Sequence, residues 1–197
     1  RDGLRRQLNP DTNAYFTGIG KVKRIVLFDT LLEQMTQEEV LAVLAHEVGH
    51  WKKKHVLKRI IMTETMAFCG ILAAFWLLRG NWLPNVLGLT HASFYAKAVI
   101  LGFLFSIATF PLTPLFNGLS RRDERESDRF AADLTGNTGA MASALVKLTR
   151  ENLSNLHPHP LYAAFYYSHP PAVERIRGLK AVAKQSWSST RSRSSGP

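Results

Sequence analysis

Two long apolar stretches constrain the fold of this chain more than any other sequence feature. Residues 60–78 contain one charged residue, Glu64, and residues 94–116 contain one, Lys97. As α-helices they would be about 28 and 34 Å long, and the hydrocarbon core of a bilayer is about 30 Å thick. We therefore predict transmembrane helices at about residues 60–78 and 94–116. The alternative is a pair of central helices in a water-soluble core, but such helices usually keep a polar stripe.

The charged residues of the chain are mostly basic. Lys and Arg total 25 against 15 Asp and Glu, a formal net charge of +10. No nucleic-acid-binding module is recognisable, so we expect no nucleic-acid partner. Basic residues beside apolar spans instead favour membrane lipid as a partner. The single cysteine, Cys69, excludes an internal disulfide.

The basic residues also predict an orientation. They precede the first apolar stretch and follow the second, at Lys52, Lys53, Lys54, Lys58, Arg59, Arg121, Arg122 and Arg125. By the positive-inside rule both outer flanks are cytoplasmic, and the loop at 79–93 lies on the other side. Two spans return the chain to the side it left, so the segments around residues 46 and 124 can meet.

The segment before the first span predicts a small β-hairpin and then a helix. Residues 13–16 and 23–28 read as strands around a turn with Gly18 and Gly20. Residues 36–39, Thr-Gln-Glu-Glu, predict a capping box. The helix that follows is predicted to continue past Trp51 to His55.

The segment after the second span predicts further helices. One or two helices are expected over 120–150, with an interruption near 136–139. Another is expected from Pro171 to about Lys184. The Ser/Arg-rich residues 186–197 are predicted to be a disordered tail. Because residue 1 is Arg and no signal peptide is recognisable, we expect the chain to be a piece of a longer protein, with one domain over residues 1–185.

Residues 46–50, His-Glu-Val-Gly-His, form an HExxH motif on the predicted helix. Four residues advance a helix by 400°, so His46 and His50 project from one face and can bind one metal ion, for which imidazole favours zinc. Glu47 lies beside that face and can act as a general base. Gly49 is expected to leave room next to the metal. A solvent-exposed helix is the alternative, which the preceding apolar residues 40–45 disfavour.

Zinc catalysis with this motif needs a third protein ligand. An acidic cluster after the second span offers one, at Asp123, Glu124, Glu126 and Asp128. Glu124 and Asp128 are four residues apart on a helix, so Glu124 can bind the metal while Asp128 accepts a hydrogen bond from a ligand histidine. Glu126 points away and is expected to be solvated. The alternative is an exposed helix of Arg–carboxylate pairs.

Five motifs, taken together and in this order, resemble the integral-membrane CAAX prenyl proteases, which are gluzincin-type zinc metallopeptidases also called a-factor-converting enzymes. They are residues 13–16, 23–32, 46–50, 120–128 and 167–170. The resemblance covers about residues 9–182 and implies that the chain corresponds to the C-terminal catalytic half of these enzymes. The chain departs from the family pattern at Ser127, where that pattern usually has Ala. This difference is expected to affect local packing and not the ligand.

The resemblance implies a role for each matching residue. The zinc ligands of one Zn²⁺ per chain are then His46, His50 and Glu124, with Glu47 as general base and Asp128 as the partner of a ligand histidine. His169 and Arg175 match catalytic residues that contact the substrate and the developing oxyanion. For His169 a helix-capping role before Pro170 is the alternative. Asn13 and Ala14 match an edge strand that binds an extended peptide substrate by β-addition.

The predicted fold is thus a mainly α membrane protein. Two transmembrane helices join the HExxH helix to the helix that carries Glu124, and a small β-hairpin precedes them. The resemblance implies an endopeptidase that removes the C-terminal three residues from prenylated CaaX proteins. It also implies a multi-pass protein of the endoplasmic reticulum membrane, or of the inner membrane if bacterial, with the catalytic side facing the cytoplasm. The alternatives are a membrane quality-control metalloprotease of the same clan and a non-catalytic membrane scaffold.

Overall fold

The computed structural model describes residues 14–17, 24–27, 33–89, 92–151 and 155–194. Strands β1 (Ala14–Thr17) and β2 (Arg24–Leu27) pair in antiparallel register, with Ala14 opposite Leu27 and Thr17 opposite Arg24. The segment that would join them lies outside the described residues, so the β-hairpin stays a prediction. Asn13 also lies outside them.

The described chain is mainly helical, as predicted. Its helices are α1 (Gln37–Lys52), α2 (His55–Arg79), α3 (Trp82–Val86), α4 (Phe94–Thr109), a 3₁₀ turn (Phe110–Leu112), α5 (Thr113–Thr135), α6 (Thr138–Glu151), α7 (Pro160–Tyr166) and α8 (Ala172–Ser194). The chain divides into two compact units. One contains residues 1–53 and 117–197, and the other contains residues 54–116.

The start of α1 has the predicted capping box. The Thr36 hydroxyl accepts a hydrogen bond from the Glu39 amide, and the Glu39 carboxylate accepts one from the Thr36 amide at 2.7 Å. The same buried carboxylate accepts hydrogen bonds from Lys147 Nζ and Ser143 Oγ of α6, each at 2.6 Å. Burial alone would raise the pKa of Glu39, but these hydrogen bonds lower it to about 2. Glu39 therefore stays ionised and ties the first turn of α1 to α6.

The predicted end of the HExxH helix is wrong. Helix α1 ends at Lys52 and does not continue to His55, because Lys54 adopts the left-handed conformation with φ 58° and ψ 33°. Lysine is a good helix former, so local propensity predicts continuation. A left-handed residue costs about 1–2 kcal/mol, which tertiary packing has to offset.

The core of the unit that contains α1 lies between α1, α5, α6 and α8. Its buried members are mostly small or unbranched: Ala42, Ala132, Ala140, Met141, Leu145 and Leu179. Alanine on both α1 and α5 allows these two helices to approach closely. This matters for function because α1 carries the HExxH motif and α5 carries the acidic cluster.

In the other unit, helices α2 and α4 run antiparallel. Lys97 near the start of α4 donates a hydrogen bond to the carbonyl of Gly80, just after α2, at 3.0 Å. Further along α4, the Phe105 ring lies beside Gly70, one-third of the way back along α2. Helix α2 is long and apolar enough to cross a membrane, and so is the segment Phe94–Thr135, which runs from α4 through the 3₁₀ turn into α5 and is called α4–α5 below. No residue in the most apolar part of either segment is buried within the protein. The alternative of central helices in a soluble core predicts buried side chains there.

The helix bounds differ from the predicted spans in two places. The first helix is longer than 60–78 and covers His55–Arg79. The second continues past residue 116, with the 3₁₀ turn Phe110–Leu112 at the position where a proline predicts a kink, because Pro111 has no amide hydrogen to donate within a helix. The helix resumes at Thr113 and continues without a break into the acidic cluster.

The last helix is longer than expected. Helix α8 continues to Ser194, past the predicted end near Lys184 and into the segment predicted to be disordered. No glycine or proline occurs between residue 179 and residue 195. Once a helix is nucleated, each further residue adds a hydrogen bond at little cost, so a polar composition without helix breakers can continue it.

Candidate metal centre

Three side chains from two helices meet in the first unit. His46 and His50 lie one turn apart on α1, and their Nε2 atoms are 3.2 Å apart. Glu124 of α5 places Oε1 3.2 Å from His50 Nε2 and Oε2 3.5 Å from His46 Nε2. The structure therefore brings together the three residues that were predicted as ligands.

The spacing of these atoms fits one metal ion. Ligand atoms about 2.0–2.2 Å from a tetrahedral zinc ion lie about 3.3–3.6 Å from one another. The Oε2 atom of Glu124 is also buried and makes no hydrogen bond of good geometry, although ring and guanidinium nitrogens lie 3.1–3.5 Å away. Two facing imidazole nitrogens and a buried carboxylate oxygen are a donor set of the kind that zinc binds.

Asp128 orients one of the two histidines. Its Oδ1 atom lies 2.9 Å from His46 Nδ1, so we assign the ring hydrogen to Nδ1, which leaves the Nε2 lone pair directed at His50 and Glu124. Burial alone would lower the pKa of His46, but the hydrogen bond to Asp128 and the facing Glu124 carboxylate outweigh it and raise that pKa. The predicted spacing of Glu124 and Asp128 thus puts both carboxylates at the site.

Arg175 of α8 holds Asp128 in place. Its Nε and Nη2 atoms donate to the two carboxylate oxygens of Asp128 at 2.8 and 2.6 Å, a bidentate pair. Burial alone would raise the pKa of Asp128, but these hydrogen bonds keep it below its ordinary value. Arg175 Nη1 also lies 3.4 Å from Glu124 Oε2. The family resemblance implied that Arg175 contacts the substrate, and in the structure its two shortest hydrogen bonds go to Asp128.

Glu47 lies on α1 between the two histidines and is half-buried. Burial raises the pKa of its carboxyl, and the nearby His46 and His50 oppose that shift. A carboxylate with a raised pKa is a better proton acceptor near neutral pH. This environment suits the general base that was predicted at Glu47.

Gly49 has a packing role that the sequence did not indicate. A Cβ atom at Gly49 would lie 3.1 Å from Ser127 Cα and 3.2 Å from the ring of Phe130. The missing side chain therefore makes room for the backbone of α5. Ser127, which is fully buried at this contact, fits the small space where the family pattern usually has Ala.

His169 lies at the same site from a third segment of the chain. Its Nδ1 atom is 3.1 Å from Glu124 Oε2, and its side chain is 66% exposed. An exposed imidazole beside the candidate ligands is placed to contact a bound substrate. The alternative was that His169 caps a helix. Among the described contacts, His169 Nδ1 instead faces Glu124.

Other acidic and basic residues of the cluster lie elsewhere. Glu126 forms an ion pair with Lys53 at 3.0 Å, and both side chains are about 40% exposed. The sequence predicted Arg121 as a basic residue at the flank of the second span, and as a partner for carboxylates only in the alternative of an exposed helix. It instead donates to backbone carbonyls of 163–167, and Asn117, which the sequence analysis did not single out, donates to the carbonyl of Phe165. They lie seven and three residues before Glu124, which puts them on the face of α5 that carries Glu124, but no sequence signal points to the carbonyls of 163–167 as their partners.

The comparisons with known proteins agree with this geometry. Residues 6–183 match the sequence profile of peptidase family M48. The chain is 40% identical over 181 residues to "CAAX prenyl protease 1 homolog" of Arabidopsis thaliana, covering 88% of this chain and 41% of the relative. It is 34% identical over 202 residues to "CAAX prenyl protease 1" of Saccharomyces cerevisiae, covering 93% and 44%.

A solved structure is similar as well. The crystal structure of S. mikatae Ste24p matches with a TM-score of 0.74 at 31% identity, covering 86% of this chain and 43% of that one. The chain thus spans about two fifths of the length of the relatives it matches. The family resemblance predicted from five motifs is confirmed. Because the family profile covers nearly the whole chain, this protein belongs to peptidase family M48, a family of metallopeptidases.

Proposed function

We propose that this chain carries the active site of a zinc-dependent membrane endopeptidase that removes the C-terminal three residues from prenylated CaaX substrates. The observation that carries the proposal is the joint placement of His46, His50 and Glu124 within ligand distance of one another, with Glu47 beside them. A histidine pair alone occurs on many helices. A buried carboxylate from a helix 74 residues further along the chain makes the set complete.

Each residue of the site has its own role in peptide hydrolysis. A zinc ion held by His46, His50 and Glu124 would supply Lewis acidity towards the scissile carbonyl. Glu47 accepts a proton from the water whose oxygen attacks the carbonyl carbon. As the carbon–nitrogen bond breaks, Glu47 returns that proton to the leaving amine. His169, exposed beside Glu124, is placed to donate a hydrogen bond to the substrate oxygen that gains negative charge.

Strand β1 is the proposed docking edge for the peptide. It pairs with β2 in a sheet of two strands, so one edge of each strand is open among the described residues. The backbone of β1 runs beside α1, the helix that carries the HExxH motif. An extended peptide could add to this edge near Ala14 and be presented to the site. We keep Asn13 in this proposal on the family resemblance alone.

The CaaX substrate rests on the names of the relatives and on the two apolar helices. The test uses two peptides of the same sequence, one farnesylated on its CaaX cysteine and one not. We expect the zinc-loaded protein to release the last three residues from the farnesylated peptide only, as read by mass spectrometry. Equal cleavage of both peptides, or internal cuts in an unfolded membrane protein, would favour the quality-control protease. No cleavage of any peptide by zinc-loaded protein would favour the scaffold.

We further propose that α2 and the α4–α5 helix cross the membrane, with His46 and Glu124 on the cytoplasmic side. Supporting this are the exposed apolar side chains of both helices and the basic residues at their outer flanks. The test replaces Cys69 by serine and introduces one cysteine at exposed Lys52 or at exposed Asn85. In sealed microsomes an impermeant maleimide should label position 52, whereas position 85 should label only after permeabilisation. Labelling of both positions from one side would refute the two-span topology.

A further inference from the structure

A single face of α5 carries more than the candidate metal ligand. Asn117, Arg121, Glu124 and Asp128 are spaced by four, three and four residues, so they lie along one stripe of the helix. The C-terminal half of this stripe faces the metal centre, where Glu124 and Asp128 contact His46. Its N-terminal half contacts a different part of the chain.

The N-terminal half of the stripe binds the end of α7. Arg121 Nη1 lies 2.7 Å from the carbonyl oxygen of Tyr167 and 3.1 Å from that of Ala163. Asn117 Nδ2 donates to the carbonyl of Phe165 at 2.6 Å. The carbonyl of Ala163 also accepts the Tyr167 amide, but the carbonyls that follow it at the end of a helix have no partner within that helix, and a cation at that end is favourable. Arg121 and Asn117 therefore fasten the C-terminus of α7 to α5.

This attachment lies two residues before His169. The His169 side chain is 66% exposed, so packing around the ring contributes little to its position, yet Nδ1 lies 3.1 Å from Glu124 Oε2. On the other side of His169, Pro170 and Pro171 are buried at the start of α8. The backbone is thus held before and after His169, and the ring reaches Glu124 because of where its backbone is held.

We propose that Asn117 and Arg121 are positioning residues that hold the His169 segment against the helix carrying Glu124. This inference rests on the proposed function, because it assigns His169 a role at the scissile bond. The same face of α5 then determines two distances. One is the distance from Glu124 to the histidines of α1, and the other is the distance from His169 to Glu124.

The test measures the attachment and its effect on turnover separately. We expect Arg121→Ala to speed amide hydrogen exchange in residues 161–169 by about 10- to 100-fold, because charge-assisted hydrogen bonds to the end of α7 are lost. We expect kcat of the zinc-loaded protein to fall by about 10- to 100-fold, while KM changes less than about threefold and zinc content stays at one per chain. Arg121→Lys keeps a charged donor and should recover part of both losses.

A mutant cycle with His169→Ala tests whether Arg121 acts through His169. In the His169→Ala background, Arg121→Ala should lower kcat by no more than about twofold further. The proposal would be overturned if the two substitutions lowered kcat independently, so that their losses multiplied. It would also be overturned by unchanged hydrogen exchange in residues 161–169 or by an unchanged kcat in His169→Ala itself.

The matched control is Arg125→Ala, which removes an exposed arginine one turn further along α5 and should change neither hydrogen exchange nor kcat. If Arg121→Ala does not fold, Asn117→Ala removes one hydrogen bond of the same attachment and is judged by the same criteria.

Failure of this proposal can be told apart from failure of the proposed function. Hydrogen exchange needs no substrate, and the mutant cycle can be run with whichever peptide the wild-type protein cuts. A protein that cuts an unprenylated peptide would overturn the CaaX proposal and still decide the role of Arg121. A protein that cuts no peptide, with exchange unchanged in Arg121→Ala, would overturn both.

Discussion

The Glu47→Gln variant is expected to lose about 100- to 10,000-fold in kcat while keeping one zinc ion per chain. The amide has nearly the shape of the carboxylate but cannot accept the proton of the attacking water. The atoms placed to bind zinc, Nε2 of His46 and His50 and the Glu124 carboxylate, are left in place. The measurements are peptide turnover at saturating substrate and zinc content by metal analysis of the same sample.

Two further variants make this result interpretable. His46→Ala should lose both zinc and turnover, since it removes a candidate ligand. Glu126→Gln removes an acid of α5 that pairs with Lys53 and is not one of the three candidate ligands, and this variant should keep both. A Glu47→Gln protein with near-normal kcat would refute the general-base assignment. Loss of zinc from it would show that Glu47 holds the metal or shapes its site.

The Glu124→Gln variant should weaken zinc binding by more than about 100-fold, a larger effect than loss of an indirect contact. The carboxylate would supply both an oxygen ligand and the negative charge that faces His46, His50, His169 and Arg175. Burial alone would raise the pKa of Glu124, but the facing His169, His46 and His50 and the Arg175 charge hold it far below its ordinary value. The carboxylate is therefore ionised and available at any pH at which a zinc peptidase works.

Competition with a zinc chelator measures this affinity without reference to turnover. Asp128→Asn is the matched comparison, since the amide keeps the shape but weakens the hydrogen bond that orients His46. It should weaken zinc binding by about 10–100-fold and not abolish it. Equal zinc affinity in Glu124→Gln and wild type would remove Glu124 from the ligand set. A stronger effect for Asp128→Asn than for Glu124→Gln would exchange their roles.

Local patterns were enough for the features that depend on one helix at a time. The capping box at Thr36 and Glu39, the shared face of His46 and His50, and the shared face of Glu124 and Asp128 all follow from residues three or four apart. The helical period is a property of the backbone, so side chains at these spacings face the same way wherever the helix lies. The two apolar helices were equally visible, because composition over about twenty residues is enough to recognise them.

Features that depend on which elements meet were not visible in the same way. The end of α1 at Lys52 contradicts local propensity, and the motif did not show that Gly49 packs against the backbone at Ser127. The attachment of α7 by Asn117 and Arg121 joins residues more than 40 positions apart. Each of these features depends on how the helices pack against one another, and it cannot be predicted from the spacing of residues within one helix.

The sequence by itself determined the residue types of the candidate site, their grouping on two helix faces and the apolar character of the two long helices. Only the tertiary structure decided how those faces meet. It placed Glu124 3.2 Å from His50, paired Arg175 with Asp128, and brought His169 to Glu124. The physical reason is that a periodic pattern sets the direction of a side chain relative to its own helix axis, whereas the distance between two helices depends on the small residues packed between them. At α1 and α5 those residues include Ala42, Gly49, Ser127 and Ala132.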